Sequence, residues 1–209
     1  MASALAREHL ARAARALNAG MHVDWLPALI LMTDEQRLAD PLSAARALPK
    51  GAAIILRHTD AKARSRLAVQ LKGIAKARGL WLLIAGDGPL AARMGADGLH
   101  LPEARAREAA HWKGLHPSWL ITAAAHSARG LAVAASVGAD AALLAPVFST
   151  ASHRERPALG VGRLRLMVAQ AHLPVYALGG IDAARAGRLR EARLAGIAAV
   201  GALTPDQSS

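Results

Sequence analysis

The chain has 209 residues, of which 53% are hydrophobic and 20% are charged, a composition that excludes disorder and suits one or two domains with a buried core. The sequence contains no cysteine, which excludes disulfides and thiolate metal sites and makes the cytoplasm the expected compartment. Charged residues interrupt every apolar run before it reaches the ~20 residues that a membrane span needs. The formal net charge of +11 raises nucleic acid as a partner, but the arginines are spread along helical segments, which is typical of solvated helix faces, and a small anionic ligand fits the charge equally well.

The first predicted element is an amphipathic helix in residues 1–24. Arg7, Arg12 and Arg15 are spaced among alanines there, and Glu8 lies between them. A signal peptide needs a continuous apolar core, which this pattern lacks. We therefore expect a helix that belongs to the folded domain and covers one end of it.

Eight short apolar runs follow, and longer segments rich in alanine, arginine and leucine separate them. Each run is apolar almost throughout, which is typical of a parallel strand covered on both faces. The predicted strands are Ala28–Thr33, Ala52–Arg57, Leu80–Ala85, Gly98–Leu101, Trp119–Ala124, Ala141–Pro146, Val175–Gly179 and Ile197–Gly201. The alternation predicts a repeated strand and helix unit.

Eight such units in roughly 180 residues favour an α/β fold with a single domain, the (β/α)8 or TIM barrel. An open doubly wound sheet is the alternative, but residues 32–35, after the first strand, lack the glycines of a dinucleotide-binding turn. A glycine-rich turn follows the seventh strand instead, where TIM barrels commonly bind phosphate. We expect residues 25–204 to form the barrel, residues 1–24 to cover its bottom and residues 205–209 to form a tail.

Short motifs near the strand ends occur in the order and spacing of one known family. They are Leu31-Met32-Thr33-Asp34, Arg57, Gly95-Ala96-Asp97-Gly98-Leu99-His100-Leu101, Ala125-His126-Ser127, Gly138-Ala139-Asp140, Pro146-Val147-Phe148-Ser149-Thr150 and Ala177-Leu178-Gly179-Gly180-Ile181. From Leu29 to Leu203 the chain resembles the thiamine phosphate synthase family, which includes the TenI-type thiazole tautomerases. The resemblance implies a TIM barrel of thiamine biosynthesis that binds a small phosphorylated thiamine precursor. The sequence leaves a homodimer open.

A phosphate site is predicted where the seventh and eighth strands end. Gly179-Gly180 lets backbone N–H groups approach an anion without a Cβ atom in the way, and Val200-Gly201 can add further donors. A turn that needs glycine only for its geometry is the alternative. Family members also bind the phosphate with a Thr-x-Thr-Lys segment, which Thr150, Ser152 and His153 resemble, with histidine in place of lysine.

The second predicted strand ends at Arg57 and His58, which we expect to bind phosphate. The synthases of the family have a Gln-x-Arg-x-Lys pattern here that binds the diphosphate of a pyrimidine substrate. This chain retains only the arginine, because Ile55 and Thr59 stand at the other two positions. The resemblance therefore implies a weakened diphosphate site.

Magnesium is the one cofactor that the resemblance raises. Two aspartates hold it in the synthases, and an ungapped alignment puts Gly86 and Arg105 at their positions. A shift of one residue would bring Asp87 to the first position, with Glu103 near the second. Such a carboxylate pair suits Mg²⁺ that is also bound to substrate phosphates. A magnesium site at Asp87 and Glu103 therefore belongs to the synthase alternative.

Three residues are candidates for acid–base catalysis, namely His126, Asp87 and His100. His126 follows the fifth strand and resembles the histidine of the Ser-x-His-Ser motif of the tautomerases, although Ala124 replaces the first serine. Imidazole titrates near neutral pH, so it can move protons with little tuning. A structural histidine that donates to a backbone carbonyl is the alternative for His126.

The residues together favour proton transfer on a thiazole phosphate, as in the TenI-type tautomerases, with no cofactor required. The first alternative is a Mg²⁺-dependent thiamine phosphate synthase, which joins thiazole phosphate to hydroxymethylpyrimidine diphosphate. The second alternative is a non-catalytic sensor that retains the phosphate site without the chemistry.

Overall fold

Eight parallel strands close into a barrel in the computed structural model, which describes residues 2–150 and 157–205. Every strand pairs with the next one along the chain, and the eighth pairs with the first. The strands are β1 (Leu29–Met32), β2 (Ala53–Leu56), β3 (Trp81–Ala85), β4 (Gly98–Leu101), β5 (Leu120–Ala125), β6 (Ala141–Leu144), β7 (Val175–Leu178) and β8 (Gly196–Ala199). Each one overlaps a predicted apolar run, with bounds that differ by one or two residues in most cases, and the predicted single-domain TIM barrel is confirmed.

Helices form the outer layer of the barrel. They are α1 (Ala4–Met21), α2 (Pro41–Arg46), α3 (Ala61–Arg78), α4 (Gly88–Arg93), α5 (Ala109–Leu115), α6 (Ala128–Ser136), α7 (Gly160–Ala169) and α8 (Ala183–Ala186), with short 3-10 helices at Glu103–Glu108, Gly187–Leu189 and Gly201–Leu203. A serine or aspartate side chain caps the first turn of most α-helices by accepting a backbone N–H. Over the described ranges, every helix is too short or too polar to cross a membrane.

The N-terminal helix α1 lies beside the two strands that close the barrel. It contacts β1, β8 and α8. The side-chain nitrogen of buried Asn18 lies 3.1, 3.3 and 2.9 Å from the carbonyl oxygens of Val23, Leu26 and Ala195. These contacts fasten the last turn of α1 to the barrel bottom, at the N-terminal ends of β1 and β8, while the rest of the helix runs alongside the barrel. The domain limits at residues 25 and 204 stay a prediction.

Apolar side chains fill the inside of the barrel. Ile30, Ile55 and Leu83 are among the largest fully buried side chains, and burying each side chain of this size contributes roughly 1.5–3 kcal/mol. Tyr176 on β7 is also buried, and its hydroxyl donates to the carbonyl oxygen of Pro27 at 2.7 Å. Because the core is packed, a ligand can bind only above it, and in this fold the carboxyl ends of the strands form the binding face.

Candidate functional site

A cavity of about 630 Å³ opens at the carboxyl ends of the strands, a volume typical of small-molecule sites. Its wall combines apolar side chains, glycines and a few charged groups. The polar and charged residues that line it are Arg37, Arg57, His100, His126, Thr150, Asp182 and Arg185. The apolar residues include Met32, Leu143, Leu178 and Ile181. The cavity therefore suits a small anion that carries an apolar ring.

The structure brings most of the predicted site residues to this cavity. Those that line it are Arg57, His100, His126, Thr150, Gly179, Gly180, Val200 and Gly201. His58, Asp87 and Glu103 do not line it. Ser152 and His153 lie outside the described residues. The binding and catalytic roles of these residues stay predictions.

The glycine turn after β7 is required by close packing as well as by backbone conformation. Gly179 and Gly180 have φ angles of 96° and 66°, which favour glycine over any residue with a side chain. A Cβ atom on Gly179 would lie 2.9 Å from Cα of Pro146, and one on Gly180 would lie 2.8 Å from the carbonyl oxygen of Ser149. The loop after β6 therefore packs directly on this turn, and only glycine fits there.

Arg185 is a cation at this turn that the sequence analysis does not identify. Its backbone N–H donates to Asp182, which caps α8, and its Nη1 donates to the carbonyl oxygen of Gly180 at 2.8 Å. The guanidinium carbon lies 5.7 Å from the centre of the Phe148 ring, within the range of a cation–π contact. The sequence signal is an aspartate cap shortly after the glycine turn, with an arginine three residues later.

On another side of the cavity, a pair of cations lies at the ends of β1 and β2. Arg57 and Arg37 donate to the same carboxylate oxygen of Asp34, at 2.7 and 2.8 Å. The hydrogen bond and charge of Arg37, together with the charge of Arg57, lower the pKa of Asp34 to about 2. Thr33 fixes the backbone of Arg57, because its Oγ1 accepts the N–H and donates to the carbonyl oxygen of that residue. Asp34 therefore stays ionised and holds both guanidinium groups at the cavity.

His58 packs away from the cavity, beside the loop after β1. Its Nδ1 lies 3.2 Å from a carboxylate oxygen of Glu35. The same oxygen accepts from the backbone N–H and the hydroxyl of Thr59, and these hydrogen bonds lower the pKa of Glu35. The contacts of His58 therefore join two loops, and the geometry gives no support to its predicted phosphate contact.

His100 is buried at the floor of the cavity. Its Nδ1 lies 2.9 Å from Oγ1 of Thr122, which is fully buried. Burial, with a smaller contribution from the charge of Arg57, lowers the pKa of His100 to about 4. The imidazole is therefore neutral at physiological pH, so it can share a hydrogen bond but cannot store a proton there.

His126 lies at the end of β5 with a defined tautomer. Its Nδ1 is 2.8 Å from the carbonyl oxygen of Ala145, and because a carbonyl only accepts, Nδ1 carries the proton. The neutral ring therefore has its lone pair on Nε2, which lies 3.8 Å from Oε2 of Glu103. The His126 side chain is 34% exposed, so it can meet a ligand in the cavity. The hydrogen bond of a structural histidine is present, and it leaves Nε2 able to accept a proton.

Asp87 has structural partners for both of its carboxylate oxygens. Oδ1 accepts the backbone N–H of Leu90 at 2.9 Å and so caps α4, while Oδ2 accepts from Arg64 at 2.8 Å. These contacts tie Asp87 to α4 and α3 instead of to the cavity. The geometry therefore gives no support to its predicted catalytic role.

The described residues do not fit a magnesium site at Asp87 and Glu103. The carboxylate of Asp87 is already engaged by an N–H group and a guanidinium, and that of Glu103 faces His126. Within residues 2–150 and 157–205, no three His, Asp or Glu side chains form a group that could hold a metal ion. Mg²⁺ prefers carboxylates that remain open to it, so Asp87 is not arranged as its ligand, and Glu103 alone does not make a site.

Comparisons with known proteins agree with this architecture. The sequence matches a family model described as thiamine monophosphate synthase over residues 29–203. It is 33% identical over 161 residues to the putative thiamine-phosphate synthase 2 of Aquifex aeolicus, and the matched part covers 75% of this chain and 86% of that protein. It is 34% identical over 188 residues to the thiamine-phosphate synthase of Chlorobium luteolum, and the matched part covers 87% of each protein.

A solved structure shows the same fold. The thiamine phosphate pyrophosphorylase from Pyrococcus furiosus superposes with a TM-score of 0.69 over 82% of this chain and 84% of that one. The two sequences are 22% identical over the matched part. At this identity the likeness concerns the arrangement of strands and helices.

Proposed function

Because the chain belongs to the thiamine monophosphate synthase family, we propose that its cavity binds a thiazole phosphate and that His126 moves a proton on this ligand. The orientation of His126 carries the proposal. Its Nδ1–H is held by the carbonyl oxygen of Ala145, so Nε2 is the ring nitrogen left to accept a proton, and the His126 side chain lines a cavity of small-molecule size.

The charged groups of the cavity support an anionic ligand. A phosphate group at the glycine turn would meet backbone N–H groups of Gly179 and Gly180, with Gly201 open beside them. The guanidinium of Arg185 lies at the same turn. The apolar wall at Met32 and Leu143 is suited to the thiazole ring. This placement puts the phosphate at β7 and β8 and leaves the ring for the histidines of β4 and β5.

The proposed reaction is an internal proton shift. Nε2 of His126 takes a proton from one ring atom of a non-aromatic tautomer, and the resulting imidazolium returns a proton to another atom, which makes the ring aromatic. Atoms and charge balance without a second substrate or a cofactor. His100 stays neutral and can stabilise the ligand by a hydrogen bond only, because burial lowers its pKa to about 4.

The test is turnover of the non-aromatic tautomer of thiazole phosphate, followed by the ultraviolet absorbance of the aromatic product. We expect His126→Ala to lower kcat by roughly 10²–10⁴-fold while ligand affinity changes only a few-fold, because the groups at the glycine turn remain. His9→Ala, on the exposed face of α1, is the control and should not change either quantity. Full activity of His126→Ala would contradict the proposal.

Thiamine phosphate synthesis is the second candidate, and the names of the relatives favour it over tautomerisation. The relatives named above are called thiamine-phosphate synthases. The cavity also has cations on two sides, Arg37 and Arg57 at β1 and β2 and Arg185 at β7. A single phosphate monoester would occupy only one of these two sides. The coupling reaction brings two anionic groups together, the phosphate of the thiazole and the diphosphate of the pyrimidine. Synthesis would need Mg²⁺, and the carboxylate of Asp87 is already engaged by an N–H group and a guanidinium, which argues against this candidate.

One assay separates the candidates. The protein is mixed with thiazole phosphate and hydroxymethylpyrimidine diphosphate, with and without Mg²⁺, and thiamine phosphate is measured. Under the tautomerase proposal no thiamine phosphate forms in either case. Its formation would replace that proposal with the synthase. Tight binding of thiazole phosphate with no turnover in either assay would instead identify the non-catalytic sensor.

A further inference from the structure

We infer that Glu103 is a positioning residue for His126, an inference that rests on the proposed function. Glu103 opens the 3-10 helix that follows β4, and His126 follows β5. These strands are neighbours in the barrel, so their loops meet at the cavity. The contact is a carboxylate oxygen 3.8 Å from Nε2 of the histidine, which is too long for a hydrogen bond and close enough for an ion pair.

The two ends of the imidazole face different partners. At Nδ1 the carbonyl oxygen of Ala145 fixes the ring and its tautomer. At Nε2 the carboxylate of Glu103 faces the only nitrogen that can gain a proton. No other cation or hydrogen-bond donor within residues 2–150 and 157–205 pairs with Glu103, so its charge finds a partner when His126 becomes imidazolium. The pair favours the state that holds the proton between its removal from the ligand and its return.

The absence of a side chain at position 130 makes room for this pair. Gly130 lies in the first turn of α6, and its N–H donates to the hydroxyl of Ser127. A Cβ atom there would overlap Oε1 of Glu103. The φ angle of Gly130 is not in the left-handed region, so the helix itself does not require glycine. The space that glycine leaves is taken up by the carboxylate.

This geometry gives two independent ways to disturb the same contact. Glu103→Gln removes the charge and retains the size of the side chain. Gly130→Ala retains the charge and pushes the carboxylate away, and alanine is favourable in a helix. The matched control is Gly73→Ala, because Gly73 is also helical and an added Cβ atom there meets nothing within 4 Å.

In the tautomer assay we expect Glu103→Gln and Gly130→Ala each to lower kcat by roughly 3- to 10-fold, the range of an ion pair that is mostly shielded from solvent, with KM within about twofold. The double variant should be no slower than the slower single variant, because both changes remove one interaction. Neither change should have an effect in the His126→Ala background. Additive losses, or full activity of both variants, would overturn the inference.

The ¹⁵N NMR signals of the His126 ring provide a measurement that does not depend on turnover. The Nε2 signal should shift in Glu103→Gln and in Gly130→Ala, while that of Nδ1 stays near its wild-type position and Gly73→Ala changes neither. An unchanged Nε2 signal in both variants would overturn the inference. A shifted signal in a protein whose wild type does not convert the tautomer would reject the proposed function and leave the Glu103–His126 pair in place.

Discussion

His100 and His126 lie at the ends of neighbouring strands, and their surroundings give them different chemistry. His126 reaches the opening of the cavity and has a carbonyl oxygen and a carboxylate on either side. His100 is buried against the hydroxyl of Thr122. Burial disfavours the imidazolium of His100, so this residue contributes to the pH dependence of stability instead of to proton transfer.

The pKa of His100 predicts a loss of stability in mild acid. In the unfolded chain this histidine takes a proton near its ordinary value of 6.5, whereas in the folded protein it does so only at about 4. The contribution of neutral His100 to the free energy of unfolding is therefore fully present above about pH 6.5 and is lost as the pH drops toward 4. From about pH 7.5 to about pH 4.5 we expect His100 to account for roughly 2–3 kcal/mol of the decrease in the free energy of unfolding.

Urea unfolding of the wild type and of His100→Gln at several pH values measures this contribution. Glutamine can still bond to Thr122 but has no proton to gain, so the variant should show a flatter profile between about pH 6.5 and about pH 4. Asp34, whose pKa is lowered to about 2, acts in a separate window below about pH 4. Parallel profiles of the two proteins would show that His100 does not titrate in this way.

At the scale of elements, Asp87 joins two helices. It caps α4 through the N–H of Leu90 and pairs with Arg64 of α3. We expect Asp87→Ala to lower the free energy of unfolding by about 1–3 kcal/mol, since a lost cap costs about 1 kcal/mol and the partly buried ion pair adds to it. Asp87→Asn retains a capping oxygen and should lose less. The measurement is urea unfolding of both variants.

Turnover of the same variants tests whether Asp87 also acts in the cavity. A structural residue should leave kcat/KM within a few-fold of the wild type in the properly folded variants. If kcat/KM of Asp87→Asn falls by about 100-fold or more while stability is retained, Asp87 acts in the cavity, as a catalytic residue or as a metal ligand.

The strands could be predicted because their signal is local. A parallel strand covered on both faces needs an apolar run, and such runs are visible in the sequence; the second one is predicted as Ala52–Arg57 and observed as Ala53–Leu56. The placement of His126 and Arg57 at the cavity follows from the same rule, since both stand where a run ends. The 3-10 helix at Glu103–Glu108 has no comparable signal.

The charged partners of the site could not be predicted because they depend on how loops meet. Arg37 and Arg57 lie 20 positions apart and share one oxygen of Asp34. The approach of Glu103 to His126 depends on the empty space at Gly130. Asp87 is an acidic residue that follows a strand, as a catalytic residue of a barrel would, yet its oxygens accept from the N–H of Leu90 and from Arg64. Spacing in the sequence does not reveal which of these contacts form.

At the scale of the whole molecule, binding of an anion to the cavity should raise global stability, because a ligand that binds only the folded state shifts the unfolding equilibrium. We expect inorganic phosphate to raise Tm relative to chloride at equal ionic strength. Arg185→Ala should lose most of this increase. Arg188→Ala is a matched control, because Arg188 also stacks on Phe148, at 5.2 Å, but does not line the cavity.

If Arg185→Ala and Arg188→Ala lose the same part of the Tm increase, phosphate stabilises the protein through its overall charge instead of by binding at this site. The effect of general charge should also fall steeply with added salt, whereas backbone donors at a glycine turn are screened less. Thermal unfolding at two salt concentrations therefore distinguishes the two explanations.

The contact between Asn18 and Ala195 has a consequence for the order in which the protein matures. These residues are 177 positions apart, and β1 has only β2 as a neighbour until β8 exists. A ribosome therefore releases the first helix long before the carbonyl group that fastens it has been made. Closing a loop of this length is slow compared with forming local contacts. Barrel closure is thus a late event, which follows synthesis of nearly the whole chain.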